Sequence, residues 1–218
     1  MAITINGNGT ITGISAGGLP DGSVTAATLA SGAAVPADGS ITTAKLANDA
    51  VTHAKSTGLQ RRIVTAVTLP TNALEITHNV TTGVKRIEVI LAEVSGTNNN
   101  NLHIQLGDSG GIETTNYNHA MGYHRSSSPG VSNSTGAFAT YGLDAASYHI
   151  FGKWQLYNPY SNYWVSDFTL WGSDASNHQF WGTGYKNLSG TLTQFKFYMG
   201  SGNFDAGYLS IVETMGDD

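Results

Sequence analysis

The sequence predicts an all-β protein, in which an antiparallel, jelly-roll-like β-sandwich forms a C-terminal head on a thin, extended, trimeric N-terminal stem. Two observations predict this fold. After residue 60, short runs alternate apolar and polar residues between Gly-, Asn- and Ser-rich turns, which is typical of antiparallel sandwiches. Before residue 60, a repeat of small residues replaces the alternation. We therefore divide the chain into a stem, residues 1–60, and a head, residues 61–218.

The stem contains a repeat. DGSVTAATLASGAAVPA (residues 21–37) aligns without gaps on DGSITTAKLANDAVTHA (residues 38–54), with nine of the 17 positions identical. Such a unit cannot bury enough apolar surface alone to offset about 1–2 kcal/mol of backbone entropy per residue. We expect three copies to cover one another, with five apolar residues meeting at the threefold axis: Val24, Leu29, Ile41, Leu46 and Val51. The alternative interpretation is a flexible, low-complexity linker.

The head contains period-two runs that predict strands and their buried faces. In LHIQL, Leu102, Ile104 and Leu106 point inward, and His103 and Gln105 point outward. Similar runs put further residues in the core: Ile87, Val89, Leu91, Tyr148, Ile150, Trp154, Leu156, Phe168, Leu170, Phe180, Phe195, Phe197 and Met199. The Ser- and Asn-rich residues 124–136 are expected to form a loop.

The composition excludes several functional classes. Net charge is −5, and the 10 basic residues form no cluster larger than two adjacent residues, so we expect no nucleic-acid partner. The chain contains no cysteine, which excludes disulfides and thiol catalysis. No apolar run approaches the roughly 18 residues of a membrane span, and the N-terminus lacks the features of a signal peptide. A neutral, polar surface without an export signal favours release by lysis, as for a virion protein.

The motif Gly-Asp-Ser-Gly-Gly (residues 107–111) resembles the surroundings of a serine-protease nucleophile. A nucleophilic Ser109 would need a histidine base and a group that orients it. The upstream histidines, His53, His78 and His103, do not lie in a suitable sequence context. We therefore expect a turn between two strands, and a protein that is not an enzyme.

Other candidates for chemistry are weaker. His119 and His124 lie five residues apart with no third ligand placed by spacing, so we predict no metal and no cofactor. The carboxylates Asp167, Asp174 and Asp205 are scattered along the sequence. Because a glycosidase pair is defined by the distance between its carboxylates in space, the sequence does not support such a site.

The segment YNPYSNY is the strongest binding candidate. Its tyrosines lie among Ser, Asn and Pro, a composition that predicts a loop. Tyrosine rings beside amide groups give rigid contact area with hydrogen-bonding capacity. We predict a receptor site formed by Tyr157, Asn158, Tyr160, Asn162 and Tyr163. The alternatives are packing between subunits and exposure without a partner.

The repeats DGSVTAATLA and DGSITTAKLANDAVTHAK, preceded by TINGNGTITGIS, resemble the N-terminal shafts of bacteriophage tail fibres. IQLGDSGGIETTNY resembles part of the C-terminal β-sandwich of such fibres. The resemblance implies a homotrimer on the virion tail, exposed to the extracellular medium. Residues 1–20 would dock on the baseplate, the tail or another virion protein, and the head would bind a host-surface glycan or protein without membrane insertion.

The resemblance has alternatives. A stem of two repeats is short for a tail fibre, which leaves room for a capsid head fibre or a decoration protein of the same build. A polysaccharide-depolymerase tailspike is the enzymatic alternative.

Overall fold

The computed structural model describes residues 62–98, 101–125, 128–141, 148–173 and 178–216, and the short strands β1 (Thr4–Ile5) and β2 (Ile11–Thr12). The chain divides into two compact units, Met1–Lys55 and Ser56–Asp218. In the first unit, β1 and β2 pair antiparallel, with Thr4 opposite Thr12. The five residues predicted for the trimer axis, Val24, Leu29, Ile41, Leu46 and Val51, lie outside the described residues.

The second unit contains two antiparallel sheets. The larger comprises β3 (Arg62–Thr68), β5 (Val84–Gly96), β8 (Tyr117–Arg125), β9 (Ser128–Ser134), β11 (Ile150–Tyr160), β12 (Tyr163–Gly172), β13 (His178–Asn187) and β15 (Phe204–Met215). Its strand order is β3-β15-β5-β11-β12-β13-β8-β9. The smaller comprises β4 (Glu75–Asn79), β6 (Leu102–Asp108), β7 (Gly111–Ile112), β10 (Phe138–Ala139) and β14 (Gln194–Met199), in the order β10-β6-β14-β4 with β7 beside β6.

The two sheets contribute to one hydrophobic core. The residues that the alternating runs predicted to be inward are buried, from Ile87 on β5 to Met199 on β14, except for Tyr148, which is half-buried. The indole of Trp154 donates to Ser166 Oγ at 2.8 Å, which satisfies the polar atom of this fully buried side chain. The prediction of an all-β, antiparallel fold is confirmed for the described part of the chain, whose two sheets form a sandwich-like arrangement.

The prediction that His103 and Gln105 are solvent-facing is wrong. Gln105 is buried, and its Nε2 donates to the carbonyl of Gly136 at 2.8 Å. His103 is half-buried, and its ring meets that of Tyr198 edge-on at 4.7 Å. Both residues lie on the opposite face of β6 from Ile104, and packing covers that face as well.

The predicted loop at residues 124–136 is largely strand β9, which pairs with β8 at the edge of the larger sheet. An edge strand needs partners on one side only, so Pro129 is tolerated there and a strong apolar pattern is not required. Within the described residues there is no helix, and hence none that is long and apolar enough to cross a membrane.

Candidate functional site

The larger sheet exposes aromatic side chains on one face. Along β12, Trp164, Phe168 and Leu170 are buried, whereas the alternate residues, which begin with Tyr163 and end with Trp171, point away from the core. We call the solvent-facing side of β11, β12, β13 and β8 the outer face. A contiguous group of exposed aromatic residues on a sheet face is a candidate site for a ligand or a partner.

Three tyrosines on the outer face form a stack, the tyrosine row, which consists of Tyr160, Tyr163 and Tyr185. The Tyr160 and Tyr163 rings lie 5.3 Å apart, and the Tyr163 and Tyr185 rings lie 5.2 Å apart, with interplanar angles of 15° and 17°. Tyr160 is 62% exposed and Tyr185 is 40% exposed. Asn118 on β8 donates its Nδ2 to the Tyr185 hydroxyl at 2.9 Å. The row is therefore an ordered aromatic surface with hydroxyl and amide groups at its edge.

The segment predicted as a tyrosine loop is a tight hairpin instead. β11 continues through Tyr160, β12 begins at Tyr163, and only Ser161 and Asn162 form the turn. The register between β11 and β12 shifts between Tyr157 and Tyr160. The Ser- and Asn-rich composition correctly indicated a turn, but pairing with the neighbouring strands shortens that turn to two residues.

Asn158 is committed to the hairpin. Its Nδ2 donates to the carbonyls of Ser161 at 2.7 Å and Tyr163 at 2.9 Å, and its Oδ1 accepts from Lys85 Nζ at 3.3 Å. These contacts use both amide hydrogens, so Asn158 stabilises the turn that carries the tyrosine row. Asn162 is half-buried, and together with Asn158 it lines a cavity of ≈ 220 Å³.

Tyr157 belongs to a polar network and not to the tyrosine row. Its hydroxyl donates to Gln155 Oε1 at 2.6 Å, and Gln155 Nε2 donates to Glu88 Oε1 at 2.9 Å. The Arg86 guanidinium lies 5.4 Å from the Tyr157 ring centroid. Burial, with a smaller contribution from the Asp167 charge, raises the pKa of the Tyr157 phenol. Of the five predicted residues, the structure thus places Tyr160 and Tyr163 together in the exposed row.

A second aromatic feature of the outer face was missed from the sequence. Phe151, Trp171 and Trp181 surround an apolar groove of ≈ 370 Å³, which we call the tryptophan groove. Trp171 is 40% and Trp181 48% exposed, and the Phe151 and Trp171 rings lie 5.6 Å apart. A signal did exist, because each tryptophan follows a predicted core residue, Leu170 or Phe180, and alternation turns the next residue outward. The same rule identifies Tyr185.

The groove is held by glycines on neighbouring strands. Trp181 is opposite Gly122 on β8, and a Cβ at Gly122 would lie 2.6 Å from the indole ring. The ring therefore rests on the glycine backbone. Gly152, which also lines the groove, has a φ of 130°, and a Cβ there would lie 2.4 Å from the Thr169 carbonyl oxygen. Both positions require glycine for this arrangement.

The Gly-Asp-Ser-Gly-Gly motif forms the predicted turn between two strands. β6 ends at Asp108, β7 begins at Gly111, and these two residues are paired. Asp108 Oδ1 accepts from Gly110 N at 2.7 Å and Oδ2 accepts from Ser189 Oγ at 2.6 Å. The bond from Ser189, followed by that from Gly110, lowers the pKa of Asp108. Ser109 is exposed at the tip of the turn.

The remaining candidates for chemistry are dispersed. His119 is buried between Phe138 and Phe168, whereas His124 is exposed on the same strand. Asp205 interacts with Ser95, Asp167 lies on the outer face, and Asp174 is outside the described residues. Among the described residues, no group of three or more His, Asp or Glu side chains could hold a metal ion.

Comparison of the chain with models of known protein families, with curated proteins and with solved structures finds no match.

Proposed function

We propose that the chain is the subunit of a homotrimeric virion adhesin, a phage tail fibre, that binds a host-surface glycan. In this proposal residues 1–60 form a trimeric stem, and residues 61–218 form a jelly-roll-like β-sandwich head. The N-terminus docks on the tail or on another virion protein. The resemblance of the repeats to tail-fibre shafts supports the assembly, and the tyrosine row supports the binding.

The observation that carries the proposal is the stacked, exposed tyrosine row. Three rings stacked in nearly parallel planes form a continuous aromatic surface, against which the apolar face of a sugar ring can pack while the phenol hydroxyls hydrogen-bond to sugar hydroxyls. The rings are already ordered by stacking and by the hairpin, so binding costs little side-chain entropy. A trimer would display three such rows, and avidity would raise a weak single-site affinity by orders of magnitude.

The test is adsorption. Labelled full-length protein should sediment as a trimer, bind the cells to which the phage adsorbs, and compete with the phage for them. Tyr160→Ala and Tyr163→Ala should each reduce cell binding at least tenfold. The matched control is Tyr208→Ala, because Tyr208 is also exposed, at 55%, but lies on β15 outside the row.

The proposal is wrong if the folded trimer neither binds cells nor competes with the phage. Recovery of the chain on particles that lack tails would show attachment to the capsid. Shortening of host glycans by the trimer would indicate a depolymerase.

A further inference from the structure

We infer that the tryptophan groove is a second subsite, specific for a neutral sugar ring, and that it forms one track with the tyrosine row for a linear oligosaccharide. The track lies along β12 and β13 on the outer face. This inference rests on the proposed function, because it specifies the ligand and the path of the receptor contact.

The chemistry of the groove favours a neutral sugar. Its lining contains no charged side chain, so nothing there would compensate the charge of an ionic ligand. Exposed edges of Trp171 and Trp181 supply apolar contact, while Thr169 and Gln179 supply a hydroxyl and an amide on the same lining. Aromatic walls with a few polar groups are the usual composition of a small-ligand site, and ≈ 370 Å³ is within the usual range of about 300–1,000 Å³.

The groove is preorganised for a rigid ligand. The Trp181 ring rests on the Gly122 backbone, and the Trp171 ring packs against Phe151. Both indoles are therefore positioned before a ligand arrives, which reduces the entropy lost on binding.

The strand register connects the groove to the tyrosine row. Trp181 and Tyr185 lie four residues apart on β13 and point to the same face, so about 13 Å separates them along the strand. Thr183 lies between them, and its partner across the sheet is Asp167 on β12. Both are exposed. Two aromatic subsites separated by polar side chains suit a short linear oligosaccharide, in which apolar ring faces alternate with hydroxyl groups.

The competing occupant of this face is a second copy of the chain. The centre of a protein–protein interface is depleted of charge, whereas the middle of the track carries the exposed carboxylate of Asp167. Neighbouring side chains cover part of that carboxyl and raise its pKa, and Lys153 and Arg86 oppose the rise. The Asp167 carboxylate beside the hydroxyl groups of Thr169 and Thr183 fits a hydroxylated ligand better than an apolar partner surface.

The experiment uses full-length protein labelled with 5-fluorotryptophan, whose four tryptophans give separate ¹⁹F signals. The probes are neutral linear oligomers of glucose, mannose and N-acetylglucosamine, each from one to five rings. With at least one series, the Trp171 and Trp181 signals should shift, while those of the buried Trp154 and Trp164 stay in place. Affinity should rise at least tenfold once the oligomer is long enough to reach Tyr185.

Two variants locate the track. Gly122→Ala should displace the Trp181 ring without removing it and weaken binding at least threefold, while Tyr185→Ala should abolish the gain with length. Tyr208→Ala is the control and should behave as the wild type. The inference is wrong if no ¹⁹F signal shifts in any of the three series, or if affinity does not depend on the length of the oligosaccharide. It is also wrong if Trp181→Ala dissociates the protein trimer, because the groove would then be a contact between subunits.

Cell binding of the same proteins separates this inference from the proposed function. If Trp181→Ala binds cells as well as the wild type, the track is wrong and the adhesin proposal stands. If the wild type binds oligosaccharides through the two indoles but not cells, the track stands and the adhesin proposal is wrong.

Discussion

Lys186 is a buried cation on β13, and its ammonium group pairs with the Glu113 carboxylate. The lysine is only 2% exposed, and its Nζ lies 5.4 Å from the centroid of the Tyr117 ring. Glu113 Oε1 also accepts a hydrogen bond from Ser189 N at 2.8 Å. Burial alone would raise the pKa of Glu113, but Lys186 and Ser189 outweigh it and lower that pKa. The pair ties the segment after β7 to the end of β13.

Removing the carboxylate should destabilise the fold strongly. In Glu113→Gln, Lys186 loses its charged partner, and an uncompensated buried charge costs about 3–5 kcal/mol of unfolding free energy. The measurement is urea denaturation at pH 7. The matched control is Glu75→Gln, because the Glu75–Lys196 pair is 3.1 Å long but more exposed, and such pairs contribute about 0–1 kcal/mol. Similar losses in both variants would contradict the prediction.

Alternation in the local sequence predicts β5, β6, β12 and β14, and it misses β8 and the edge strands β4 and β9. β12 and β14 bury residues at every second position, and β5 does so from Ile87 to Leu91, so the alternation is visible in one segment alone. β4 and β9 are edge strands, which have fewer buried neighbours. Val131 on β9 is 87% exposed, so an alternating apolar pattern is not needed there.

The candidate site was half predictable for a related reason. Tyr160 and Tyr163 are close in sequence, so a turn brings them together. Tyr185 joins them only because β13 lies beside β12 in a particular register. The tryptophan groove likewise depends on the pairing of β11, β12 and β13, which no short segment specifies. Strand order and register arise from packing of the whole core.

Acidification should destabilise the protein through two histidines. Burial lowers the pKa of His119 to about 4, with a smaller contribution from His103, and burial lowers the pKa of His103 to about 4 as well. His119 Nε2 and His103 Nδ1 are buried and have no hydrogen-bond partner among the described residues. In the unfolded chain both pKa values return to about 6.5. Below that pH the unfolded state binds protons that the folded state does not.

The contribution of the two neutral histidines to the free energy of unfolding is therefore fully present above pH 6.5. It is lost as the pH falls from 6.5 to about 4, with a limiting slope of about 1.4 kcal/mol per pH unit for each histidine. Urea denaturation at several pH values should show this fall, and His119→Gln should reduce the slope by about half. NMR titration of the His119 ring is the direct check. A midpoint near 6.5 in the folded protein would refute the assignment.

At the tip of the Gly-Asp-Ser-Gly-Gly turn, residues 109–111, stability should depend on Gly111 more than on Ser109 or Gly110. Gly111 has a φ of 115°, which an L-residue adopts only at a cost of about 1–3 kcal/mol. A Cβ at Gly110 would meet only Asp108 Oδ1, at 3.1 Å, and this oxygen can move. We expect thermal or urea denaturation to rank Gly111→Ala as most destabilising, then Gly110→Ala. Ser109→Ala should change stability by less than about 0.5 kcal/mol and leave cell binding intact.

Ser161→Gly, in the hairpin turn that carries the tyrosine row, should raise the free energy of unfolding. Ser161 has a φ of 47°, and Asn162 is not among the residues with positive φ, which is the pattern of a type II′ turn with glycine preferred at its first position. Relief of left-handed strain is worth about 1–2 kcal/mol, and the added flexibility of the unfolded chain costs about 0.5–1 kcal/mol. The net gain should be about 0.5–1 kcal/mol by urea denaturation.

Asn162→Gly is the control and should destabilise the fold, since it adds flexibility to the unfolded chain without relieving strain. The reverse order of the two variants would show that the turn is of another type. Because the substitution leaves Tyr160, Tyr163 and the amide of Asn158 in place, cell binding by Ser161→Gly should match that of the wild type.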